Sequence, residues 1–224
     1  PAVAAIVPHA GLIYSGSCAA EVFKRLQLAS TVVILAPNHT GMLGAKSGAS
    51  TWRSGTFQTP LGDISIADEF VSALCDACSL VVHDPMAHAR EHAIEVELPF
   101  LSLLAPDSDL VPIVLAWDDW DRCRQLGEAL AGVVREWHHP ISLVASSDMT
   151  HYESAESAAR KDRIALDRVV QLDGEGLLKA CHQHNITMCG RGPAAVVLEA
   201  ARLLGAEQGE VVDYRNSGWV TGDD

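Results

Sequence analysis

No stretch of this 224-residue chain stays apolar for the roughly 18–20 residues that crossing a bilayer requires, so the sequence contains no membrane-spanning helix. The pattern of a secretory leader is absent too: there is no basic start, apolar stretch and small-residue cleavage site. The chain opens at Pro1 already entering a strand, so a natural N-terminal segment is expected to be missing. Basic residues are scarce. Sixteen Lys and Arg stand against 29 Asp and Glu, a net charge of −13. A general nucleic-acid binder needs a basic footprint, which leaves at most a local basic pocket. Cysteine is too sparse and scattered, at positions 18, 75, 78, 123, 181 and 189, to form a disulfide framework. That usage suits reduced thiols and predicts a cytoplasmic protein. Repeats, low-complexity tracts and linkers are missing, so residues 1–224 are read as one domain.

What the chain does have is alternation. Hydrophobic residues make up 48%, and they gather into runs: AVAAIV (2–7), TVVILAP (31–37), LVPIVLAW (110–117) and ISLVASSD (141–148). Helical patterns separate them, at about 17–28, 120–137, 154–170, 173–184 and from Gly192-Pro193 to about Leu204. Continuous Val/Ile/Leu runs between helices are the mark of strands buried on both faces. They predict an α/β fold with a mainly parallel central sheet flanked by helices. VVDYRNS (211–217) reads as a late strand, and the glycine-rich stretch 41–65 as a lid or a β-excursion.

Three of the runs end alike. The first runs into Pro8-His9, the second into Pro37-Asn38-His39, the last into Asp148-Met149-Thr150-His151. In a parallel sheet the carboxyl ends of the strands share one edge, where α/β proteins keep their chemistry. A single histidine there is often structural, but three such phrases point to function. Neutral imidazole is a common metal ligand, so His9 and His39 would supply two nitrogens. The best-placed third ligand is Cys189 in TMCGRGP, at a predicted helix start where N–H groups lower a thiol's pKa. Its plainer reading is a small buried residue.

A second constellation is HAREHAIEVELPF (88–100). His88-x-x-Glu91-His92 matches an inverted zinc-protease pattern, which requires the run to lie within a helix. Pro85 permits one from about Met86, placing Glu91, His92 and Glu95 on neighbouring faces. A pocket-lining Glu91-His92 pair is the better functional reading, and an exposed polar helix end the plainer one. CDAC (75–78) lacks a second ligand pair at zinc-site spacing and reads as helix.

Taken in order, VPHAGLIYSGSCAA, APNHTG, EHAIEVELPFL, SSDMTHY and ITMCGRGP resemble the signature stretches of the Memo family, from about residue 3 to the end. Relatives carry an additional N-terminal segment and a closing strand after the SGWVTGD phrase, so both ends are expected to be cut off here. That family is similar in fold to the LigB-type class III extradiol dioxygenases, which hold non-haem Fe(II) and open catechol rings. The resemblance implies metal-ligand positions for His9 and His39 and an acid/base position for His151. Cys189 stands where Memo proteins offer a cysteine and the dioxygenases a carboxylate. A thiolate is softer, so copper or zinc also suits the set. A vertebrate member is described as a phosphotyrosine-peptide adaptor, and Arg191 beside a helix start would suit such an anion.

Three readings follow. In a redox metalloenzyme, His9, His39 and Cys189 bind iron or copper. His151 moves protons with Asp148 orienting it, and Glu91 and His92 line the pocket of a small dihydroxy-aromatic. In a binding module, the same cleft holds a short peptide or small anion. In a metal-free hydrolase, Cys189 is the nucleophile and His151-Asp148 the base and its orienter, which leaves His9 and His39 without a task.

Overall fold

The computed structural model describes residues 4–42 and 48–222. In chain order the elements are β1 (Ala4–Val7), α1 (Leu12–Phe23), β2 (Thr31–Pro37), β3 (Ala49–Thr51), β4 (Thr56–Thr59), β5 (Gly62–Ser65), α2 (Asp68–Ala77) and β6 (Val81–His83). Then come α3 (Pro85–His88), α4 (Leu98–Leu104), β7 (Asp109–Leu115), α5 (Trp120–Glu136), β8 (Ile141–Ser146), α6 (Ala155–Val170), α7 (Gly174–His184), α8 (Arg191–Leu203) and α9 (Gly218–Thr221).

The central sheet has the order β1-β8-β2-β7-β3-β6. β1, β8, β2 and β7 are mutually parallel; β3 runs antiparallel to β7, and β6 parallel to β3. This is the mainly parallel α/β architecture that the apolar runs predict. β2 shows why those runs are continuous. Val33 and Leu35 pack into the core under α2, α5, α7 and α8, whereas Val32, Ile34 and Ala36 pack into the core on the side of α1 and α4. Each fully buried Leu or Ile contributes roughly 1.5–3 kcal/mol of transfer free energy, so both faces hold the sheet.

Several local expectations are corrected. The first helix begins at Leu12, not Ser17, because Gly11 at φ 103° turns the chain out of β1 at once. Residues 41–65 form a β-excursion: β3 joins the main sheet, and β4 and β5 make a hairpin. Residues 43–47 of that stretch, like residues 2 and 3 of the first strand, lie outside the described residues. The helix expected to run on from Met86 stops at His88, and two turns, at 89–90 and 93–97, flank an irregular Glu91-His92. VVDYRNS has the alternation of a strand but pairs with no strand among the described residues. Side chains hold this segment instead: Tyr214 on Asp162 and Arg215 on Ser17 and Asp213.

Candidate metal centre

Parallel pairing decides the geometry of the site. β8 lies between β1 and β2, so the loops leaving three adjacent strands emerge side by side at one edge. His9 stands two residues past β1, His39 two past β2 and Asp148 two past β8. Cys189 arrives from another direction, two residues before α8. The chain there presses onto the end of β8, with the Gly190 N–H donating to Ser147 Oγ at 2.9 Å. A Cβ at Gly190 would sit 2.4 Å from the Ser146 carbonyl oxygen, so only glycine allows this approach.

Ligand-capable atoms of His9, His39 and Cys189 all lie within 4.8 Å of one another. Nε2 of His9 is 3.4 Å from Sγ of Cys189. Two ligands about 2.1 and 2.3 Å from one ion would stand about 3.6 Å apart at a tetrahedral angle, so the spacing suits a shared metal. Both imidazoles are held through Nδ1, as metal-bound histidines usually are. His9 Nδ1 is 2.7 Å from Ser146 Oγ, and His39 Nδ1 donates to Glu91 Oε1 at 2.9 Å. Glu91 is buried beneath His39. Its other oxygen accepts the His39 N–H at 2.6 Å, and Oε1 also accepts the Ala93 N–H. His92 is exposed, its ring stacked on His39 with centroids 5.0 Å apart and 5.6 Å from His9.

The electrostatics single out one thiol. Burial pushes Cys18 and Cys181 up to about 11 and Cys123 up to about 12, and raises Cys75 and Cys78 as well. At Cys189 burial also pushes upward, but hydrogen bonds to His39 and His9 outweigh it and hold the thiol below its ordinary value. The Asp148 N–H adds a further donor to Sγ at 3.3 Å. His39 is raised, first by its bond to Cys189 and then by Glu91. Burial pushes Glu91 up, yet the bonds from His39 and Ala93 take it down to about 2. Thiolate and carboxylate are the ligand-ready and ligand-supporting forms.

His151 stands beside this triad, its ligand-capable atom within 4.8 Å of those of Asp148 and Cys189. Its N–H and Nδ1 both bond to Thr187, to Oγ1 at 2.7 Å and to the carbonyl oxygen at 2.9 Å. A carbonyl only accepts, so neutral His151 carries its proton on Nδ1 and leaves Nε2 free. The orienting partner is therefore Thr187. Asp148, expected in that role, is engaged elsewhere: its Oδ1 accepts the N–H groups of His9 and Ala10 at 2.9 and 3.1 Å. Asp148 and His151 also line a cleft of about 1150 Å³ running between α1, α6 and the C-terminal segment.

The remaining candidates lie differently. Arg191, the first residue of α8, donates from Nε to Asp118 Oδ2 at 2.5 Å. The protease pattern does not assemble: His88 is buried with Nε2 on the Ser50 carbonyl, and Glu91 and His92 group with His39 instead. Cys75 and Cys78 sit in α2 and at its C-cap. Three residues of the site had no signal of their own. Ser146 looked like strand, Thr187 like loop, and Glu97 was hidden behind Glu95, which is exposed where Glu97 is fully buried.

Comparison with known proteins gives the family. The family described as Memo-like protein matches residues 2–224. A MEMO1 family protein of Methanopyrus kandleri is 40% identical over 222 residues, covering 97% of this chain and 77% of the relative. One from Methanocaldococcus jannaschii is 40% identical, covering 97% and 78%, and one from Aquifex aeolicus is 41% identical, covering 98% and 80%.

Proposed function

The chain belongs to the Memo family, and from that premise we propose that it is a metal-dependent redox enzyme acting on a small dihydroxy-aromatic or similar diol. His9, His39 and Cys189 would hold a non-haem ion, Fe(II) in the first place and copper or zinc as alternatives. The observation that carries this reading is the convergence of two imidazoles and a lowered thiol, both imidazoles anchored through Nδ1 to a polar partner. Such an ion, when bound, supplies a place where a diol and oxygen can meet and exchange electrons.

The chain's own groups do the rest. His151 Nε2, free because Thr187 holds Nδ1, takes or returns a hydroxyl proton. His92 presents an exposed ring face to a substrate beside His39. Glu91 keeps His39 in one orientation from below. Asp148 ties the backbone of His9 and Ala10 to the end of β8 and so holds the ligand loop in place. The binding-module reading is supported less well, because Arg191, its anion anchor, already bonds to Asp118.

The test has two stages. Elemental analysis of protein purified without a metal-binding tag should find near-stoichiometric iron or copper. Anaerobic reconstitution with Fe(II), followed by oxygen and a panel of dihydroxy-aromatics, should then consume oxygen. A protein that binds iron but consumes none with any diol would sink the enzyme reading and leave metal binding. One that refuses Fe(II), Cu and Zn alike would sink both.

A further inference from the structure

Beneath His9, three polar groups converge on one hydroxyl. Ser146 Oγ lies 2.7 Å from His9 Nδ1, 2.7 Å from the Ala93 carbonyl oxygen and 3.0 Å from Glu97 Oε1. Ser146 and Glu97 are entirely shielded from solvent, and His9 nearly so. A serine hydroxyl has one proton to give and two lone pairs to accept with. The Ala93 carbonyl can only accept. At 2.7 Å the Ser146 proton belongs on that contact, since two oxygens so close without a proton between them repel.

The other two contacts must then be donated to Ser146. One comes from His9 as Nδ1–H, the other from a protonated Glu97. An ionised Glu97 would compete for the single Ser146 proton. It would also leave a charge at zero exposure whose second oxygen, Oε2, has no hydrogen-bond partner among the described residues. An unpaired buried charge is among the costliest arrangements a protein can hold.

We infer that Glu97 is a buried neutral carboxylic acid and a positioning residue, which through Ser146 holds His9 Nδ1 as an N–H donor and so aims Nε2 at Cys189. Its purpose rests on the metal-site reading; its hydrogen-bond chemistry does not. Burial, with the Asp148 charge adding to it, holds the Glu97 carboxyl well above the usual range against the opposing Ser146 bond. Histidine ligands are commonly tuned by the group on their second nitrogen, and loss of that group costs about 10–100-fold in metal affinity. Here the tuning group is itself held by a further acid one layer deeper.

The experiment compares wild type with Glu97→Gln, Glu97→Met and Ser146→Ala, as full chains. In metal-free protein at neutral pH, infrared spectra should show a carboxylic-acid C=O stretch that Glu97→Gln abolishes. Long-range proton–nitrogen NMR should find His9 as Nδ1–H in wild type and in Glu97→Gln, whose amide can still donate to Ser146. Titration with Zn(II), a redox-silent probe, should show Glu97→Met and Ser146→Ala binding about 10–100-fold more weakly, with Glu97→Gln close to wild type. The inference is overturned by an absent acid band, by His9 found as Nε2–H, or by Glu97→Met matching Glu97→Gln in both tautomer and affinity. Should Glu97→Met fail to fold, the band and tautomer of wild type and Glu97→Gln decide alone. A wild type that shows both signatures but binds no Zn(II) would sink the metal reading and leave the Glu97 assignment standing.

Discussion

Nε2 of His9 and Sγ of Cys189 face each other at 3.4 Å, although 180 residues separate them in the chain. Nothing local brings them together. His9 is delivered by the end of β1, Cys189 by the approach to α8, and β8 stands between as the surface on which both rest.

That relationship makes the ligand set separable from the fold. Cys189→Ser and His39→Ala each remove one donor from the rim of the sheet, not from its core. Both variants should keep wild-type circular dichroism and melt within a few degrees of it. Metal bound per chain should fall at least tenfold in each, in line with the cost of removing even a supporting group from a metal site. Unfolding of either variant would assign these residues to structure instead.

The parallel strands were legible because burial on both faces writes itself as unbroken apolar runs, as in TVVILAP. The ligand candidates were legible because each strand hands over to its histidine within two residues. What stayed hidden has physical reasons. β3 and β6 are three residues long, too short for any period to show. The stretch 89–97 carries helix-like spacing but folds irregularly, mostly as turns, so a helical reading of its faces gives no sign that Glu97 is the buried acid. Thr187 orients His151 with its carbonyl, which every residue possesses, and side-chain identity cannot announce that.

Gly190→Ala tests how closely Cys189 depends on the end of β8. The added methyl would meet the Ser146 carbonyl oxygen at 2.4 Å and Ser147 Cβ at 2.5 Å, neither of them free to swing away. Relief requires the chain before α8 to lift, carrying Cys189 from His9. Overpacking of this kind costs about 1–3 kcal/mol, which denaturant unfolding would measure. Zn(II) affinity should drop alongside, by more than in a core variant of equal instability such as Leu126→Val.

Arg191→Ala separates the enzyme reading from the anion-binding one. The Arg191–Asp118 pair is about one-third exposed on each side, and pairs of that kind are worth roughly 0–1 kcal/mol. Stability and metal content should therefore change little. Phosphotyrosine or inorganic phosphate, titrated calorimetrically into wild type and variant, should show no Arg191-dependent binding. A clear heat of binding in wild type that the variant loses would move the function toward peptide recognition.

Tyr214 braces the loop that carries His151, and its pH response can be read from the same bonds. Its hydroxyl donates to Asp162 Oδ2 at 2.7 Å, while Asp162 Oδ1 accepts from the N–H and Oγ1 of Thr150, the neighbour of His151. Burial first, and then the Asp162 carboxylate, hold the phenol well above its ordinary value near 10. Between that value and the higher folded one, the unfolded chain has released its proton and the folded chain has not. Stability from this group is thus complete below about pH 10 and is lost as the pH rises beyond it. Tyr214→Phe should cost about 1 kcal/mol at neutral pH, the usual worth of such a hydrogen bond. It should also flatten the alkaline fall in stability, so that the two proteins converge above pH 10 in denaturant titrations. Equal slopes in both would mean that Tyr214 is already ionised or unbonded in the folded chain, and that the His151 loop is held by Asp162 and Thr150 alone.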